Sequence, residues 1–465
     1  MDLRAISKAY FLGIGGIGMS AIARYLKQQG VEIHGYDKVR SPICIELEHE
    51  GMMIHYEDDY SKIPIEFIHA PDTHICIWTP ALPKDFGEIL FFKSHNITLY
   101  KRAEVLGMIS RNTFTIAIAG THGKTTTTTL VTKALSIFNI NFTAFLGGIS
   151  TDFGSNYISI KNKKEWMQKP IMVVEADEFD HSFLHLHPNI AIVTSTDADH
   201  LDIYGAKEGF RKGFEEFVQC IEPQGVLIQK YGLDLPFASH IQSKTYGNHP
   251  EADYQYSNPH YEENHFSFGW HSKTMQLQVT SGVGGEHNAE NATAVLGVID
   301  TLKLDIPTAA KAIADFHGVK RRFEKLFETP THIVIDDYAH HPTELQAIIN
   351  AVKKTYPKHQ VTGIFQPHLY TRTRDFLDGF VSSLNMLDEC WLMDIYPARE
   401  KPIEGITSNA IAAKLTNCRG VFSATEIYQK IKNNPPSLLL IMGAGDIDRI
   451  TQPVKEIYEE LFASA

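Results

Sequence analysis

The sequence predicts an α/β chain of three domains: a Rossmann-like N-terminal domain, a central α/β domain of the P-loop ATPase type, and a C-terminal Rossmann-like parallel sheet. Two glycine-rich turns, at Gly13 and Gly120, each follow a short apolar strand and open a helical pattern, so each reads as a βα phosphate-binding unit. A third series of apolar runs alternates with helical spacing after Phe316-His-Gly318 and argues a parallel sheet. The length, 465 residues, accommodates such a series at about 100–200 residues per domain. The expected limits are 1–108, 109–319 and 320–465.

Composition narrows the function. The net charge is −12 with 43% hydrophobic and 21% charged residues, an ordinary globular balance with an acidic surface. Such a surface disfavours nucleic acid and anionic membranes, so a phosphate-bearing ligand must be held by local backbone donors, a few cations or bound metal. Cys44, Cys76, Cys220, Cys390 and Cys418 form no CxxC pair and suit reduced thiols. With no signal-peptide pattern and no apolar run near 20 residues, the expectation is a cytoplasmic protein that neither binds nor spans a membrane.

The first unit opens with a strand at Lys8–Leu12. Gly13, Gly15, Gly16 and Gly18 then form GxGxxG, which lets backbone N–H groups approach a pyrophosphate at the start of the helix carrying Met19 and Ser20. A second strand, 31–36, ends at Asp37, 19 residues beyond Gly18, where a nicotinamide-binding fold would place its ribose acid. From these residues alone, pyrophosphate binding, an NAD-dependent dehydrogenase and a merely structural glycine turn are all open.

The second unit starts with the strand 113–119 and the loop Gly120-Thr121-His122-Gly123-Lys124-Thr125-Thr126. The loop is two residues shorter than GxxxxGK[ST], yet offers a glycine cradle, a lysine for phosphates and a hydroxyl for Mg²⁺, which predicts ATP binding. A further strand ends in Glu175-Ala-Asp-Glu-Phe-Asp180, carboxylates placed where hard cations bind, and Asp199-His-Leu-Asp202 supplies His200 as a partner ligand. Residues 240–280 read as irregular or antiparallel. A closing helix places Asn288 and Asn291 on one face beside His287, able to meet a purine or phosphate or simply to cap the helix.

The third unit carries strands at 331–335, 360–365, 389–393 and 437–442. Arg321-Arg322-Phe323 and Asp336-Asp337-Tyr338-Ala-His340-His341 flank the first strand and are dense in groups that bind anions or transfer protons. Adjacent histidines point different ways, so at most one of the two is expected to act. Arg372 and Arg374 could clamp a carboxylate or phosphate bidentately, or form a solvated basic turn.

Taken in order, these motifs resemble the Mur ligases of peptidoglycan synthesis, together with Phe365-Gln-Pro-His368. The resemblance spans all three units and implies an ATP-dependent ligase joining L-alanine to the lactyl carboxylate of UDP-N-acetylmuramate, with ATP and Mg²⁺ as cofactors. It implies that the first glycine turn and Asp37 bind the UDP-sugar, and that Lys124 and Thr125 hold ATP and Mg²⁺. Glu175 and His200 would be metal ligands; His287, Asn288 and Asn291 would touch the nucleotide; Arg322 would reach its transferring phosphate. Asp337 resembles a ribose-binding acid, Tyr338 and His340 line the amino-acid site, and Arg372 anchors the alanine carboxylate. Where relatives often carry a second anchoring arginine, this chain has Leu369, leaving Arg374 as the expected substitute, and Ser195 stands where asparagine is common. A ligase that attaches a whole tripeptide is the nearest alternative, then a dehydrogenase or a nucleotide sensor. Monomer and homodimer are both open.

Overall fold

The computed structural model describes residues 3–69, 72–161, 169–197, 207–262, 265–398 and 400–462. It divides into two compact units, Met1–His317 and Gly318–Ala465. The first unit contains two sheets, so the boundary expected near residue 108 separates sheets, not compact units.

The first sheet has β1 (Lys8–Leu12), β2 (Glu32–Tyr36), β3 (Met53–His55), β4 (His74–Trp78) and β5 (Leu99–Lys101), ordered β3-β2-β1-β4-β5 and parallel throughout. The order reverses between β1 and β4, and in doubly wound sheets ligands bind outside the strand ends at that point. Both faces are covered, Phe11 facing one apolar cluster and Tyr10 another, which is why the strands read as unbroken apolar runs.

The second sheet comprises β6 (Phe114–Ala119), β7 (Phe142–Phe145), β8 (Tyr157–Ile160), β9 (Ile171–Glu175), β10 (Ile190–Val193), β11 (Val226–Lys230), β12 (Gln242–Gly247), β13 (Tyr254–Glu262), β14 (His265–His271) and β15 (Gln276–Ser281). Its order is β15-β14-β13-β12-β11-β10-β6-β9-β7-β8, and β13, β14 and β15 pair antiparallel. The stretch 240–280 is therefore ordered antiparallel sheet over much of its length. Central β6 lies between β10 and β9, which gathers the ends of three strands around the loop that follows it.

That loop runs into the helix Lys124–Ser136, nearly all of whose threonines are buried. β-Branched residues are mediocre helix formers. Here the hydroxyls of Thr128, Thr129 and Thr132 donate to carbonyls four residues back at 2.7–2.8 Å, so polar side chains enter the core with their donors satisfied.

The second unit has β16 (Glu324–Glu328), β17 (Ile333–Asp337), β18 (Val361–Phe365), β19 (Glu389–Leu392), β20 (Cys418–Val421) and β21 (Leu438–Met442), ordered β16-β17-β21-β18-β19-β20. It is parallel except for the edge pair β16–β17. Among the described residues no helix is long and apolar enough to cross a membrane.

Candidate active site

In the first unit the phosphate loop is held by backbone geometry. Gly123 has φ +80° and caps the helix that begins at Lys124, and a β-carbon there would lie 2.8 Å from Asn291 Oδ1. Glycine is thus required both by the left-handed backbone and by the approach of the helix Glu286–Thr301, which delivers Asn291. That asparagine donates to Asn288 Oδ1 at 3.4 Å, and Asn288 donates to Gly284 O at 2.7 Å. Both asparagines are buried; His287, one turn position away, is exposed.

Ser195, Thr194 and Asp197 hold the loop in place. The His122 amide donates to Ser195 Oγ at 3.0 Å, the Thr121 amide to Ser195 O at 3.3 Å, and the Thr194 hydroxyl donates to His122 O. Thr121 Oγ1 donates to Asp197 O at 2.7 Å.

Lys124 Nζ donates to Gly120 O at 2.6 Å and lies 2.8 and 2.9 Å from the two oxygens of Glu178. Burial opposes the charge on Lys124, but Glu178, Glu175 and Asp177 outweigh it and hold its pKa above the ordinary value. Burial pushes the Glu178 carboxyl up while Lys124 draws it back. Glu175, at the end of β9, packs its carboxylate against Gly147, where any side chain would overlap it. Thr125 is buried beside Lys124. His200, Asp199 and Asp202 lie outside the described residues.

At the first glycine turn, the helix Ile17–Gln28 starts from Gly16 with no side-chain cap, leaving its first amides open. Asp37 accepts the Gly15 N–H at 2.8 Å and the Val39 N–H at 3.1 Å. Met19 and Ser20 are buried; the Ser20 hydroxyl donates to Ile17 O at 3.0 Å and receives Asn156 Nδ2 at 2.8 Å. Their side chains are therefore engaged in packing, and what the turn leaves open is backbone.

In the second unit the two arginines of Arg321-Arg322-Phe323 have different surroundings. Arg321 Nε donates to Asp336 Oδ2 at 3.2 Å and its other end to Gly443 O. Both guanidiniums sit 5.2 Å from the Tyr338 ring centroid. Asp337 accepts the Phe323 amide at 2.7 Å and the Ala339 amide at 2.8 Å, and burial pushes its pKa up against the pull of Arg322. His340 Nδ1 pairs with Tyr338 O at 3.0 Å, leaving Nε2 as the acceptor of the neutral ring. Burial, with Arg372 and Arg322 acting in the same sense against Glu344, holds its pKa below that of a free imidazole. His341 caps the helix Pro342–Thr355, so the adjacent histidines do divide into one capping and one site-facing ring. The His368 ring lies 6.0 Å from His340 and stacks on Tyr396 at 5.6 Å. Arg374 is half exposed and bonds its neighbour Asp375 at 2.7 Å, away from this cluster.

A lysine-bearing glycine loop at the head of a parallel sheet, flanked by strand-end carboxylates and joined to a second glycine turn, defines a nucleotide-binding α/β protein. The chain belongs to the Mur ligase family. It matches the family descriptions "Mur ligase family, catalytic domain" over residues 8–113, "Mur ligase middle domain" over 118–299 and "Mur ligase, glutamate ligase domain" over 321–445. It is 43% identical over 462 residues to a UDP-N-acetylmuramate--L-alanine ligase of Porphyromonas gingivalis, covering 98% of this chain and 100% of that relative. A relative of the same name from Flavobacterium johnsoniae is 41% identical, with 99% and 100% covered. Among solved structures, the UDP-N-acetylmuramate-alanine ligase of Thermotoga maritima superposes with TM-score 0.81 at 27% identity, covering 98% of this chain and 99% of that one. A murein peptide ligase of Psychrobacter arcticus shares the fold, with TM-score 0.72 at 21% identity, over 97% and 98% of the two chains.

Proposed function

We propose that this protein joins L-alanine to the lactyl carboxylate of UDP-N-acetylmuramate at the expense of ATP, in peptidoglycan precursor synthesis. The observation that carries this is the full-length similarity to ligases of that name at 40% identity and above. In this reaction a carboxylate oxygen attacks the γ-phosphorus and ADP leaves. The alanine nitrogen then attacks the acyl carbon, phosphate leaves, and the amine releases its protons.

The division of labour among residues is our own assignment. Gly120 to Thr126, with Lys124, would cradle the ATP phosphates, and His287, Asn288 and Asn291 the rest of the nucleotide. The hydroxyl of Thr125 and the carboxylate of Glu175 are hard oxygen donors suited to Mg²⁺, with His200 as a further ligand, and the ion would supply charge neutralisation on the phosphates. The first glycine turn and Asp37 would hold the UDP-sugar. In the second unit Arg322 is the cation for a phosphoryl group, Asp337 the ribose-side acid, and Arg372 the anchor for the amino-acid carboxylate. His340, neutral and with Nε2 available, can take a proton from the alanine ammonium. We also assign three domains, 1–108, 109–319 and 320–465, and a cytoplasmic location, which suits soluble substrates.

Purified protein given Mg-ATP and UDP-N-acetylmuramate should release ADP only when L-alanine is added. Release with the tripeptide instead would move the chain to the recycling reaction, and silence with every acceptor would refute a ligase.

A further inference from the structure

We propose that Arg102 is a further binding residue for the diphosphate of the sugar nucleotide, an inference that rests on the reading of the first glycine turn as that nucleotide's site. Arg102 is the first residue of the helix Arg102–Ser110, which follows β5 directly. Because β5 continues the sheet from β1 through β4, its end lies on the same edge as the glycine turn.

The side chain crosses to that turn. A β-carbon at Gly18 would lie 2.7 Å from Arg102 Cδ and 2.9 Å from its Nη1. Gly18 is in the first turn of the helix Ile17–Gln28, so the guanidinium rests over the backbone of a helix start. The third glycine of such a turn ordinarily admits close helix–strand packing; here it admits an arginine.

Arg102 is held over this helix start by its ion pair with Asp177. A helix N-terminus carries partial positive charge, and a cation stacked on it is unfavourable unless an anion bridges the two. Asp37 accepts the Gly15 amide at 2.8 Å and so sets a carboxylate beside the turn, where a cation such as Arg102 offsets its charge toward a docking diphosphate. The hydrogen bond that holds Arg102 runs 3.2 Å from Nη2 to Asp177 Oδ2, and the side chain is 23% exposed. It is a partly solvated guanidinium with donors left over, aimed at a set of open amides, and planar donors of this kind bind phosphate bidentately. A diphosphate on the turn would take amides from below and Arg102 from the side, with Asp177 as the competitor it displaces.

The test is titration of UDP into the full-length protein by calorimetry, with thermal unfolding measured on every variant. Arg102→Ala should weaken UDP binding by roughly tenfold or more, the scale of a charged hydrogen bond to phosphate, and Arg102→Lys by less. Arg102→Gln, which keeps most of the side chain's length and packing without its charge, should weaken UDP comparably, which covers the case of an unstable Arg102→Ala. Asp177→Asn, which removes the competitor, should bind UDP at least as tightly as the native chain. Native affinity in Arg102→Ala, or a loss in Asp177→Asn as large as in Arg102→Ala, would overturn the proposal. A native chain that does not bind UDP would defeat the sugar-nucleotide reading, and this inference with it, whereas UDP binding indifferent to Arg102 defeats the inference alone.

Discussion

Lys124 and Glu178 illustrate how a single buried pair ties chemistry to stability. The lysine is the proposed phosphate ligand, and the carboxylate keeps it charged inside the fold. Lys124→Ala is expected to abolish ADP release while sparing UDP binding. It also strands Glu178, so unfolding by urea should show a loss of about 3 kcal/mol. Adding Glu178→Gln should restore much of that stability but no turnover, because the charge problem is solved and the phosphate ligand is still missing. His340 makes a second prediction. Its pKa lies below 6.5, so the ring is already a base at neutral pH and protonates only as the pH falls below that value. The acid limb of kcat/KM for alanine should therefore lie below pH 6.5. His340→Ala should lower kcat by about 100-fold, a usual size for a lost general base, and abolish that limb. Arg372→Ala should chiefly raise the KM for alanine with kcat little changed, as expected for a group that binds ground and transition states alike; an unchanged KM would contradict its anchoring role.

The strand–loop–helix formed by β6, Gly120–Gly123 and Lys124–Ser136 was legible in the sequence as an element, because its signal is contiguous: an apolar strand, glycines where the chain turns, then a lysine and hydroxyls. Its threonine run was ambiguous between cap and helix. The structure makes it a buried helix in which the hydroxyls of Thr128, Thr129 and Thr132 each find a carbonyl one turn earlier, which propensity does not weigh. Gly123→Ala tests the element itself. The substitution faces both a left-handed backbone at φ +80° and Asn291 at 2.8 Å. It should raise the KM for ATP about tenfold while UDP affinity stays native, the two-readout comparison separating a local loop defect from general unfolding.

Over the whole molecule, each compact unit buries a carboxyl whose pKa is raised to about 7: Glu88 in the first, by burial against the hydrogen bond from Tyr10, and Asp336 in the second, by burial against Arg321. A folded-state pKa above the unfolded value means the folded chain holds protons more tightly. Stability from these groups is full below their unfolded pKa values near 4, is lost as pH rises toward 7, and is absent above. Glu88, fully buried and bonded to Tyr10 Oη at 2.6 Å, is the cleaner test. Glu88→Gln should be more stable than the native chain at pH 8, by up to roughly 3 kcal/mol, and the gap should close near pH 5. A gap independent of pH would show that the carboxyl ionises normally.

The sequence by itself determined the α/β class, both glycine turns with the strands that lead into them, and membership in a ligase family, because each is written in residues adjacent along the chain. Tertiary structure alone decided which groups meet. It assigned Glu178 to Lys124, Ser195 to the loop amides and Asp37 to Gly15. It set both Arg321 and Arg322 against the Tyr338 ring, bonded Arg321 to Asp336, and turned Arg374 toward Asp375. It also laid Arg102 across Gly18. These pairings join segments far apart in the chain, brought together by strand order and by burial, which makes an unpaired charge costly and so selects partners that local sequence does not encode.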